Sequence, residues 1–129
     1  MPLVRIDIGK DAPLERIRVV SHAVYGAMID LANVPVNDKF QIVTRHSTDE
    51  MVYPDEGYLG CTYTPDFIAI QVTWVGGRST DVKKQFYRRI ADEIHEKAGV
   101  RKEDIFISLV DSSREDWSFG NGEMQYAPK

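Results

Sequence analysis

Cys61 is the only cysteine among 129 residues, so no intrachain disulfide and no Cys-cluster metal site can form, and the composition suits a reducing compartment. Long apolar runs are missing too. The longest uncharged stretches, Val19–Ile29 and Phe67–Gly77, are eleven residues each, about half of what a bilayer-spanning helix needs. Early charges follow Met1-Pro2 where a leader would be basic and then apolar, so a cytoplasmic chain with no membrane partner is expected. There is no basic excess: sixteen Lys and Arg stand against twenty Asp and Glu, for a net charge of −4. That balance is poor for neutralising phosphates and argues against nucleic acid as a partner. Histidine is scarce. His22, His46 and His95 are far apart, and Asp92, His95 and Glu96 share a helix face that reads as solvated charge, so no metal is expected. No G-x-G-x-x-G, G-x-x-x-x-G-K-[ST] or G-x-S-x-G occurs, and Cys61 lies between Gly60 and Thr62 without an adjacent base. Dinucleotide, nucleoside triphosphate and serine or cysteine hydrolase chemistry therefore lack support.

What is present is a core and a repeat. The length corresponds to one domain over residues 1–129, and 43% hydrophobic residues suffice for an unstapled core. Leu3–Ile8 alternates like a strand with one buried face. From Pro13 the apolar spacing becomes three and four, through Leu14, Ile17, Val20, Val24, Ala27 or Met28, and Leu31, predicting a helix over Pro13–Ala32 that Val34-Pro35 stops. Phe40–Thr44 then reads as strand. The same unit returns as strand Phe67–Val75, helix Ser79–Lys97 and strand Ile105–Val110. Ala32-Asn33-Val34 and Asp38-x-Phe40 recur sixty-six residues later as Ala98-Gly99-Val100 and Asp104-x-Phe106, so the chain reads as tandem repeats over about 2–66 and 67–129.

Two right-handed β-α-β crossovers predict an α+β fold of order β-α-β-β-α-β, a four-stranded mixed sheet with both helices on one face. The bare opposite face, rich in Val, Ile, Phe and Trp, predicts a homo-oligomer. Residues 48–65 read as a long surface loop containing at most one short strand. In the tail, Asn121-Gly122 predicts a hairpin pairing Trp117–Gly120 with Met124–Tyr126.

Three features suggest chemistry. A penultimate Pro2 permits removal of Met1, which would leave a secondary amine able to act as base or acid near neutral pH. Gly76-Gly77-Arg78-Ser79 joins a strand to a helix, where backbone N–H groups and the guanidinium suit a carboxylate or phosphate; the alternative is a tight turn with Ser79 or Thr80 as N-cap. Asp38 offers a carboxylate near the amine, or, like Asp104, shapes a turn.

Pro2, the β-α-β duplication and the helix-opening Arg78 together make the chain resemble the tautomerase superfamily, the fold of 4-oxalocrotonate tautomerase and macrophage migration inhibitory factor. The resemblance is strongest to its malonate semialdehyde decarboxylase branch, through His22–Asp30, Val34–Asp38, Arg78-Ser79 and Asp116-Trp117-Ser118-Phe119-Gly120. It implies a homotrimer without cofactor, acting on a small carboxylate substrate. Pro2 would be the acid–base group, Asp38 would orient water or the substrate carbonyl, and Arg78 would hold the carboxylate. Trp117, Phe119 and Tyr126 would wall the pocket. Where the decarboxylase pattern has a second arginine, this sequence has Gly76, so the resemblance favours enol–keto tautomerisation over decarboxylation.

Overall fold

The computed structural model describes residues 2–128. Its elements follow the expected order: β1 Leu3–Gly9, α1 Leu14–Leu31, β2 Phe40–His46, β3 Ile68–Val75, α2 Thr80–Ala98 and β4 Ile105–Ser112. The sheet runs β2-β1-β3-β4, parallel within each β-α-β unit and antiparallel between β1 and β3 at the centre. Even-numbered residues Val4, Ile6, Ile8, Ile68, Ile70, Val72 and Trp74 are buried against the helices, as the period-two side-chain alternation of a strand requires.

The helices are fitted differently to this face. α1 buries Val20, Ala23, Val24, Ala27 and Met28, and its two alanines allow close approach to the strands. Leu14, expected on the apolar stripe, is instead 55% exposed at the first position of α1. Pro13 is the N-cap with extended backbone, so the helix starts one residue later than the spacing suggests. α2 buries Phe86, Ile90 and Ile94, and Phe86 packs on Trp74 with ring centroids 5.2 Å apart. Phe86→Ala would remove about 3–5 kcal/mol of stability. Both helices end on a left-handed residue at equivalent positions, Asn33 at φ 58° and Gly99 at φ 70°, which closes the C-terminal turn.

The connection after β2 has a 3-10 turn at Thr48–Glu50 and an isolated Tyr58–Cys61 bridge. It is pinned by Asp104, the buried charge of the core, whose carboxylate accepts from the Thr64 N–H at 2.8 Å and the Thr64 hydroxyl at 2.6 Å.

The tail hairpin does not form. Asn121 and Gly122 adopt the left-handed conformations expected of the dipeptide, at φ 59° and 66°, but the flanks do not pair as strands. The Gln125 side chain takes the place of a partner strand, accepting from the Phe119 N–H at 2.9 Å and donating to the Gly120 carbonyl at 3.1 Å.

Candidate active site

Pro2 is buried and leads directly into β1. Leu3 pairs with Phe40 on one side and Thr73 on the other, so one step back along both registers sets Pro2 beside Lys39 and Trp74, on the helix side with Val4. Trp74 is the platform of this end of the sheet. It is fully buried, and its indole N–H donates to Asp111 Oδ1 at 3.0 Å.

Arg78 stacks its guanidinium over that indole, 4.1 Å from the ring centroid. Nε donates to the Ala32 carbonyl at 3.0 Å and Nη1 to the Val75 carbonyl at 2.6 Å, tying the end of α1 to the end of β3. Burial pulls the guanidinium below its ordinary pKa, and nearby Asp111 opposes that shift. An arginine so fixed is preorganised: Nη1 keeps a second N–H and Nη2 both of its own, enough for a bidentate carboxylate.

The rest of the glycine-containing turn differs from the anion cradle considered above. Gly76 donates its N–H to the Ser112 carbonyl at 3.0 Å, which removes it as a ligand donor. Ser79 is the N-cap of α2, accepting from the Val82 N–H at 3.2 Å, so that part of the segment is structural. A Cβ at Gly76 would lie 3.2 Å from the Asp111 side chain; the position of the expected second arginine therefore abuts a carboxylate.

Asp38 is half-buried, two residues before Phe40, and its N–H donates to the Pro35 carbonyl at 3.1 Å. Its loop is held to α1 by the Tyr25 hydroxyl, which accepts from the Asn37 N–H at 3.0 Å. Lys39 covers the same ring at 4.7 Å.

On the open face at this same end lies a cavity of about 470 Å³, lined by Leu3, Phe40, Thr73, Ser112, Trp117 and Phe119 among others. Trp117 and Phe119 stack 5.8 Å apart, and Phe119 meets Phe40 at 5.7 Å. Tyr126 stands behind Phe119, edge-on at 5.0 Å, with Arg114 over its ring. It buttresses the wall rather than forming it.

Arg78 and the cavity occupy opposite faces of one sheet end. Ser112 connects them, accepting from the Trp117 indole N–H at 2.8 Å and donating to the Trp74 carbonyl at 2.8 Å. Trp74, Asp111 and Ser112 were not legible as site residues: Trp74 read as strand, and Asp111 and Ser112 fell just past the strand expected over Ile105–Val110, which runs on to Ser112 in the fold. The one available signal was chemical: a buried indole N–H needs an acceptor. Among the described residues no three His, Cys, Asp or Glu side chains group as metal ligands; His95 is bonded to the Val100 carbonyl and Asp92 to Lys102.

Residues 38–120 match the family model described as tautomerase enzyme. The chain is 40% identical to the probable tautomerase YusQ of Bacillus subtilis over 97% of its own length and 98% of that protein's. With YrdN, a second probable tautomerase of that organism, it shares 34% identity over 98% and 96% of the two chains. Its fold superposes on the crystal structure of FG41 malonate semialdehyde decarboxylase inhibited by 3-bromopropiolate with a TM-score of 0.87, at 33% identity over 96% and 93% of the chains.

Proposed function

The chain belongs to the tautomerase family, and on that premise we propose that it interconverts the enol and keto forms of a small oxo acid, without a cofactor, using the Pro2 amine once Met1 is removed. Met1 lies outside the described residues. As base, the Pro2 nitrogen takes the enol hydroxyl proton; as acid, it delivers a proton to carbon, so the net change is an isomerisation. Arg78 holds the substrate carboxylate. Asp38 orients water or the carbonyl, while Trp117 and Phe119 form the apolar wall that Tyr126 supports. The observation that carries this reading is that Pro2, Trp74 and the pinned Arg78 lie at one sheet end whose other face holds an apolar cavity, the two linked by Ser112.

A second reading, decarboxylation of a 3-oxo acid, is favoured by the similarity to two solved malonate semialdehyde decarboxylases, at 33% and 31% identity. There carbon dioxide would leave, its bonding electrons would pass through the enolate to the former carbonyl oxygen, and Pro2 would protonate the carbon. Gly76 against Asp111 weakens it, because the developing oxyanion would lack a second cation. The active form is a cytoplasmic homotrimer, with neighbouring subunits on the open sheet face. A 4-OT-fold neighbour with a TM-score of 0.76 at 16% identity was solved as a symmetric trimer.

Intact mass and turnover of phenylenolpyruvate test the reading together. The protein without Met1 is expected to be active, and one residue added before Pro2 should abolish turnover while leaving the fold unchanged. Equal activity with a blocked N-terminus would overturn the mechanism. A purified chain that retains Met1 and lacks activity would point to a binding protein that keeps only the fold.

A further inference from the structure

The sixty-six-residue repeat extends beyond strands and helices. Ser47 and Glu50 form a capping box on the 3-10 turn after β2, and Ser113 and Asp116 form the same box on the turn after β4. Leu3 pairs with Phe40 as Ala69 pairs with Phe106. Arg5 pairs with Gln71, its own equivalent, so a local two-fold axis passes through that pair. This axis carries the Pro2 end of the sheet onto the opposite end. Ser112, Trp117, Phe119 and Phe40 then map onto His46, Met51, Tyr53 and Phe106.

A second cavity of about 440 Å³ lies there, lined by His46, Met51 and Tyr53 together with Phe67, Lys10 and Arg16. The catalytic parts are not repeated: Pro2 maps onto Ile68, a buried mid-chain residue with no amine, and Arg78 onto Ala12. Cations have been supplied from other positions. Arg16 donates Nη1 to Asp66 at 3.1 Å, a carboxylate whose side chain is 59% exposed. Among the described residues its Nε is buried without a hydrogen-bond partner, so the guanidinium is under-satisfied. Lys10 is exposed at the rim, where Asp11 also lies, and His46 is engaged by Asp7 at 2.6 Å. The apolar wall is aromatic: Tyr53 and Phe67 meet at 5.3 Å.

We infer that this second cavity is a non-catalytic binding site for a small aromatic carboxylate, with its charge on Arg16 and Lys10 and its ring against Tyr53 and Phe67. The carboxylate displaces the solvent-exposed Asp66 from Arg16, a competition that an incoming anion can win because Asp66 is largely hydrated in place. The inference does not depend on Pro2 being the acid–base group.

The test uses 4-fluorobenzoate, followed by fluorine NMR. Arg78→Gln removes the proposed carboxylate anchor at the Pro2 end, and binding of about one probe per chain should survive it. Adding Lys10→Gln and Arg16→Gln should weaken that binding about tenfold or more, and uncharged 4-fluorobenzamide should not compete. Lys10→Gln/Arg16→Gln in the otherwise unaltered protein should leave phenylenolpyruvate turnover unchanged. Undiminished binding in the triple variant, absence of binding to Arg78→Gln, or equal competition by the amide would overturn the site. Crystals of the unaltered protein soaked in the probe give a second readout should Arg78→Gln fail to fold. A ring seated against Tyr53 and Phe67 supports the site; a cavity left empty, or filled by a neighbouring subunit, refutes it.

Discussion

Asp111 governs the chemistry around position 76. It accepts from the Trp74 indole, faces Lys83 at 3.4 Å and stands against Gly76. An arginine introduced at 76 would meet that carboxylate before it met a substrate, and a paired guanidinium stabilises a developing oxyanion poorly. Gly76→Arg alone is therefore expected to leave decarboxylation of malonate semialdehyde low. Gly76→Arg combined with Asp111→Asn should raise it about tenfold or more relative to enol turnover, the scale of one oxyanion donor gained. Carbon dioxide release against ketonisation measures the ratio, and a single variant as effective as the double would refute the role of Asp111. Within one chain Arg45 does not supply the second cation at this end, because its Nη1 is bonded to the Lys10 and Ala12 carbonyls at the other end of the sheet.

The connections between elements were the least legible part of the chain, because side chains rather than backbone ladders hold them. Glu103 is an example. It accepts from the Thr62 N–H at 2.9 Å and pairs with Arg101, and the Thr62 bond followed by Arg101 lowers its pKa from 4.5. A carboxyl with a depressed folded-state pKa contributes stability that is present above its unfolded value and is lost as pH falls through the folded one. The melting-temperature gap between the unaltered protein and Glu103→Gln should therefore be full at neutral pH and shrink as pH falls below 4.5. A gap that stays constant to pH 3 would show that the charge is not what Thr62 reads. Similarly, Asn121-Gly122 announced the turn but not its partner, since Gln125 lies too close in sequence for a ladder yet reaches both sides with its amide.

At the scale of the whole molecule, the open sheet face carries Phe40, Ile42, Phe106 and Val110 at 46%, 45%, 50% and 39% exposure, an apolar row that association of copies would cover. Light scattering is expected to report three times the 14.7 kDa chain mass. Ile42→Lys with Phe106→Lys should lower that mass by placing charges where copies meet. A 14.7 kDa species from the unaltered protein at micromolar concentration would remove the packing argument.

Residue order alone determined the β-α-β-β-α-β order, the alternating buried faces and the equivalence of the two halves. These follow from local periodicity and from a repeat visible at a fixed spacing. It also marked Pro2, Asp38 and Arg78, each unusual in type or place. Only the tertiary structure decided what Arg78 rests on, that Gly76 faces Asp111, that Ser112 joins Trp74 to Trp117, and that a second cavity lies across the local two-fold axis. Apart from the local contacts of Arg78 with Trp74 and Ser112 with Trp117, those relations join β3 to β4 or β1 to the loop after β2, residues far apart in the chain that become neighbours only when strands pair in register and burial obliges each polar group to find a partner.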